Sequence, residues 1–245
     1  MSIHLPEQFR NLREEGFIMR LSRVIVAITG VAAVLCLIVL PADALSPSAR
    51  PSPIPLTGTL GQLAGRDGIF FGTAVNTTAL ANEPTYNARV GSEFTSVTPE
   101  NVMKWDTIEP QQGVLNFAPA DALVAFARAH NQRIRGHNLV WHNQIPSWLT
   151  TGVANGSITP SMLLNILHQH ITDEVTHFRG KLAQWDVVNE ALNDDGTLRN
   201  DIWLQNLGPG YIADAFTWAH QADPHVKLFY NDFNLESVGP KSNAA

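Results

Sequence analysis

Residues 184–192, QWDVVNEAL, run as an apolar strand until Asn189-Glu190 sets an amide beside a carboxylate. A strand sealed in a core has no packing use for that pair, whereas a strand whose end opens into a pocket does. The same form recurs along the chain. Strand-like runs are expected at 69–75 (IFFGTAV), 93–99 (EFTSVTP), 133–141 (RIRGHNLVW), 183–189 (AQWDVVN) and 227–232 (KLFYND). Polar, chemically capable side chains collect at or near their ends: Asn76, Glu100-Asn101, His137, Asn189-Glu190 and Asn231-Asp232.

Helix patterns fill the intervals. In TPSMLLNILHQHITDEVTHF, Thr159 is placed to cap and Pro160 to occupy the first turn. Leu163, Leu167, Ile171, Val175 and Phe178 then recur at three- and four-residue spacing and make one apolar face. Residues 119–130 and 211–223 repeat the pattern, with Leu123, Phe126 and Ala127 together in the first and Ile212, Ala215, Phe216 and Ala219 in the second.

Strand–helix alternation implies an α/β fold with a parallel sheet, either doubly wound or closed. No glycine-rich phosphate turn follows the first strand. In a (β/α)8 TIM barrel the strand ends converge on one mouth, so the five polar clusters would share one pocket; in an open sheet they would be strung along an edge. The barrel is the expectation, and it is incomplete: about five of eight βα units fall within the 245 residues, against about 250 residues for a typical whole barrel. The chain reads as the N-terminal portion, residues 59–245, of a catalytic barrel domain.

What precedes it has a different character. Val24 to Leu40 is apolar apart from Thr29 and Gly30, with Arg20 and Arg23 before it and Ala42-Asp43-Ala44 after. That order describes a secretory signal peptide over residues 1–44, with Met19 an alternative start, and implies a secreted, extracellular protein. A retained signal anchor is the competing reading, since the run is near the lower limit for a membrane span. Residues 45–58 form a Pro/Ser-rich linker. The one cysteine, Cys36, lies in the leader, so the mature chain is expected to hold no disulfide. Secretion also gives meaning to two glycosylation sequons, at Asn155 and Asn76. A net charge of −6 without basic clusters gives no reason to expect nucleic acid or an anionic membrane as partner.

Glycoside hydrolysis without a metal uses two carboxyls, and a strand-end glutamate between apolar walls is a suitable proton donor. Glu190 fits that role, although a lone glutamate there could equally cap the loop before Asp194-Asp195. Glu100, Asn101 and Lys104 follow the second strand and offer both donors and acceptors to a polyhydroxylated ligand; a surface salt bridge between Glu100 and Lys104 is the plainer account. His137, Trp141, His142, Gln144 and Trp148 follow the third. An indole beside amides suits a sugar, whose C–H face covers the ring, but each tryptophan could also be core, Trp105 and Trp185 above all. Metal catalysis has little support. Among the nine histidines, His168 and His170 are two apart on a helix and His137 and His142 five apart on a strand, so neither pair shares a face, and there is no H-E-x-x-H. No metal or cofactor is expected, and no G-x-S-x-G elbow points to serine chemistry.

Five blocks taken together, FGTAVN, ENVMKWD, IRGHNLVWHNQIPSW, WDVVNEAL and KLFYNDFN, resemble glycoside hydrolase family 10 in order and spacing. The resemblance implies a retaining endo-1,4-β-xylanase that cleaves internal bonds of xylan, a monomer whose partners are xylan and xylo-oligosaccharides. It implies Glu190 as acid/base and Asn189 as contact to the hydroxyl next to the reacting carbon. Glu100, Asn101, Lys104, His137, Trp141 and Gln144 would line the non-reducing side of the cleft. Phe233 stands where many relatives carry Tyr, on the leaving-group side. The family's nucleophile is a glutamate at the end of a seventh strand, beyond the five read here. A β-1,4-glucanase on a related barrel and a non-catalytic xylan-binding remnant are the alternatives.

Overall fold

A computed structural model describes residues 57–245. The expected leader over residues 1–44 and nearly all of the linker lie outside the described residues. The elements follow in the order α1 (Leu60–Arg66), β1 (Gly72–Val75), α2 (Thr77–Asn82), α3 (Pro84–Glu93), β2 (Ser96–Pro99), α4 (Trp105–Ile108), α5 (Ala118–Ala129) and β3 (Arg133–Val140). Then come α6 (Ser147–Ala154), α7 (Pro160–His177), β4 (Gln184–Asn189), α8 (Ile202–Leu207), α9 (Tyr211–Ala222), β5 (Lys227–Asn231) and α10 (Pro240–Ala244).

The five strands are parallel and ordered β1-β2-β3-β4-β5. That order decides between the two parallel architectures. A doubly wound sheet reverses its strand order and carries helices on both faces. An unbroken sequence of right-handed crossovers keeps the helices on one side and leaves the other as a concave inner wall. The described residues therefore form part of a (β/α)8 barrel.

Helix α7 shows how the sequence builds the outer layer. Thr159 has extended backbone and its side chain accepts from the Met162 N–H at 3.3 Å, relieving one of the unpaired donors of the first turn. Leu163, Leu167, Ile171, Val175 and Phe178 are all buried, as their spacing predicts. Ala215 and Ala219 on α9 are fully buried as well, while Ile212 and Phe216 are only partly covered. Trp105 and Trp185 are core residues. Trp185 fits against β3 because Gly136 has no side chain: a Cβ there would stand 2.3 Å from the indole.

The first strand differs from its expected span. Ile69, Phe70 and Phe71 precede the ladder and are exposed. β1 pairs only with β2, over Gly72–Val75, so pairing rather than apolar content sets its length.

Candidate active site

Each strand delivers a polar residue to the same end of the sheet. Beyond the last paired residues the backbone still bonds from strand to strand, the Glu100 N–H to the Val75 carbonyl at 3.0 Å and the Glu190 N–H to the Asn231 carbonyl at 2.8 Å. Glu190 has φ of 57°, a left-handed conformation uncommon for a residue with a side chain, of the kind that accumulates at functional sites.

The Glu190 carboxyl is held rather than loose. The Trp141 indole N–H donates to its Oε2 at 3.0 Å, and His142 Nε2 lies 4.0 Å from the same oxygen. Glu190 is thus not a cap for the loop that follows. Because Oε2 accepts, a proton on this group belongs on Oε1. The His142 imidazole is held below its ordinary pKa, chiefly by burial and then by the Arg199 charge, with Glu190 opposing.

Lys104 is nearly buried, and its ammonium sits 4.7 Å from the centroid of the Trp141 ring, a cation–π contact. Burial lowers its pKa, against the opposing charges of Asp106, Glu190 and Glu100. Glu100 accepts from Asn76 Nδ2 at 2.9 Å instead of pairing with Lys104. Gln144 Nε2 donates to Asn101 Oδ1 at 3.2 Å. Asn189 and Asn231 bring their amides to 2.7 Å. Glu100, Asn101, Lys104, Trp141, Gln144, Asn189 and Glu190 thus form a contiguous set.

His137 joins through a network not legible as a motif. Asp186, on β4 directly opposite His137, accepts from its Nδ1 at 2.9 Å. Arg135 grips the same carboxylate through Nε and Nη2, at 2.6 to 2.9 Å, and reaches Asn231 Oδ1 at 2.8 Å. A carboxylate can only accept, so the His137 Nδ1 carries hydrogen, and Nε2 lies 3.5 Å from the Asn138 amide nitrogen. Together with Glu100 these groups line a hollow of about 660 Å³ on the inner wall of the sheet. Arg135 and His137 are two apart on a strand and so share a face, and Asp186 is a lone carboxylate among apolar neighbours. Those were the available signals.

Several expected residues are placed otherwise. His142 follows the end of β3, and a register shift between His137 and Val140 breaks the alternation that would have set it opposite His137. Phe233 stands apart from the set, about half exposed, beneath the Lys241 ammonium at 3.5 Å from its centroid. Trp148 donates to the Glu109 carbonyl and packs on the core. Asn155 is exposed. Asn76 is half-buried: its Nδ2 donates to Glu100, and its Oδ1 caps α2.

The arrangement offers a wall lined by donors and acceptors, with one anchored carboxyl at the end of β4. The model of glycosyl hydrolase family 10 matches residues 59–245. The chain is 45% identical over 175 residues to Endo-1,4-beta-xylanase B of Thermotoga neapolitana, a match covering 71% of this chain and 49% of that one. Xylanase 10B of Thermotoga petrophila RKU-1, solved with xylobiose, superimposes with a TM-score of 0.71 at 43% identity over 77% of this chain and 57% of that one. A mutant of TsXylA, the intracellular xylanase of Thermoanaerobacterium saccharolyticum, solved with xylotetraose, gives 0.72 at 39% identity over 77% and 60%. The chain spans about half the length of the curated relative.

Proposed function

Because the chain belongs to glycosyl hydrolase family 10, a match over residues 59–245, we propose that it supplies the proton-donating half of a retaining endo-1,4-β-xylanase. The observation that carries this is the Glu190 carboxyl at the end of β4, with Oε2 fixed by the Trp141 indole. In this reading Glu190 gives the Oε1 proton to the glycosidic oxygen as the C–O bond breaks, then accepts one from water when the glycosyl intermediate is released. The attacking carboxylate is the one the resemblance assigns to a seventh strand. Asn189, His137 and Lys104 meet the hydroxyls of the sugar being transferred, with Glu100, Asn101, Trp141 and Gln144 extending the wall. Phe233 faces the leaving-group side. Xylan and xylo-oligosaccharides are the substrates, and the protein acts as a monomer.

The full-length protein carrying Glu190→Gln should lose nearly all hydrolysis of xylan, since general acid catalysis contributes about 10²–10⁴-fold. Undiminished turnover would remove Glu190 from this role. Parallel rates on xylan and on a β-1,4-glucan decide the substrate. Export belongs to the same reading, supported by the basic, apolar and A-x-A order of residues 20–44. An N-terminus at Leu45 in the mature protein is its test.

A further inference from the structure

Val140 is the last residue of β3 and pairs with Val188, so the next carbonyl, that of Trp141, has left the strand. A carbonyl in such a place needs another partner. It finds one 62 residues away: the Trp203 indole N–H donates to it at 2.9 Å. Trp203 is fully buried and has little freedom. Asp201 fixes the start of its helix, α8, by accepting from the Trp203 and Leu204 N–H groups at 3.0 Å each. The Trp203 ring lies 5.7 Å from that of Trp105 with 5° between planes, and Trp105 lies 3.7 Å from His170 with 4° between planes. Three aromatic rings from α8, α4 and α7 are thus stacked, and the donor at one end has its direction set by the stack.

The peptide it holds carries two of the groups around Glu190. Trp141, on one side of that peptide, donates its own indole N–H to Glu190 Oε2; His142, on the other, lies 4.0 Å from the same oxygen. We propose that Trp203 is a positioning residue for proton transfer, holding the Trp141–His142 peptide so that Glu190 Oε2 stays occupied and the transferable proton stays on Oε1. This rests on the glycosidase reading for its consequence, though not for its geometry. Trp203 touches no substrate. It acts through the Trp141–His142 peptide, so its loss should weaken protonation of the leaving group more than attack on the anomeric carbon.

Trp203→Phe in the full-length protein keeps a stacking ring and removes the donor. The expected result is a fall of about tenfold in kcat/KM for a xylo-oligosaccharide, whose leaving sugar must be protonated. For an aryl xyloside with an acidic phenol, which departs without a proton, kcat/KM should stay within about twofold. An equal fall on both substrates, or none on either, overturns the proposal. Two measurements do not depend on turnover. In the wild-type protein labelled with ¹⁵N-tryptophan, the Trp203 Nε1–H should exchange slowly with solvent; exchange as fast as a free indole overturns the proposal without any variant. The Trp141 Nε1–H resonance should follow ionisation of Glu190, assigned by its loss in Glu190→Gln, and its midpoint should move in Trp203→Phe; an unmoved midpoint counts against it. A wild-type protein that hydrolyses neither glycoside yet gives the expected exchange and titration would sink the proposed function and leave the positioning intact.

Discussion

Asp186 on β4 and Glu174 on α7 are both carboxyls sealed from water, yet the chain treats them in opposite ways. Asp186 accepts hydrogen bonds from Arg135 and His137 and sits on the inner wall, facing the hollow. Glu174, on the outer layer, has no partner for either oxygen. The His170 Nε2 lies 3.4 Å from it and bonds the Leu139 carbonyl at 3.1 Å. A carbonyl only accepts, so His170 carries its hydrogen on Nε2, and its Nδ1 is left without a partner. Burial pushes the Glu174 carboxyl well above its ordinary range and the His170 imidazole down to about 3. The pair is therefore neutral despite its proximity. A buried charge persists where partners hold it and it orients something, here His137; a buried acid without partners takes up a proton instead. Nothing in the structure explains why α7 carries a carboxyl at position 174.

The largest effect is expected at Arg135. Arg135→Ala would leave the Asp186 charge with His137 alone, and removing one partner of a buried pair costs about 3–5 kcal/mol. The guanidinium is one third exposed, which puts the expected loss at the lower end, about 3 kcal/mol in denaturant unfolding. A loss below about 1 kcal/mol would mean that water reaches Asp186 in place of the arginine. Glu174→Leu should go the other way. Replacing an unsatisfied buried acid by a hydrocarbon of similar volume should stabilise by about 1–3 kcal/mol at neutral pH. A destabilised variant would show that Glu174 has a partner, such as a bound water, and that the contrast with Asp186 is smaller than it looks.

These two carboxyls also mark how far the sequence could be read. The strands from β2 to β5 and α7 with its Thr159 cap were legible because each rests on the pattern within a single segment, and the barrel because polar residues recur where strand after strand ends. Glu190, Trp141 and Lys104 were legible as a group because strand ends converge in such a fold. The Arg135–Asp186 bond was not, since its residues are 51 apart and only the register of β3 on β4 sets them opposite. Trp203 was hidden for the same reason. The two bonds of the Asn76 amide, to α2 and to Glu100 just past β2, were hidden likewise, since a sequon is read only from its neighbours in sequence. Ile69–Phe71 misled because apolar content does not determine where a ladder begins.

The finest test lies in the pH dependence of stability, where Glu174 and His170 pull in opposite directions. The folded Glu174 keeps its proton above its ordinary value of 4.5, while the unfolded chain releases it, so stability falls as pH rises past 4.5. The folded His170 stays neutral down to about 3, while the unfolded chain takes up a proton below 6.5, so stability also falls as pH drops past 6.5. Between 4.5 and 6.5 the two slopes cancel, and this pair contributes a plateau with a decline on either side, each of about 1.4 kcal/mol per pH unit. Glu174→Leu removes the downward slope that begins at 4.5, so the plateau becomes a climb and the alkaline decline disappears. Its stability should rise with pH up to about 6.5 and then level off, whereas the parent should be flat to 6.5 and lose stability above it. Parallel curves for parent and variant across pH 4–8 would mean that Glu174 gives up its proton in the fold as it does in the unfolded chain.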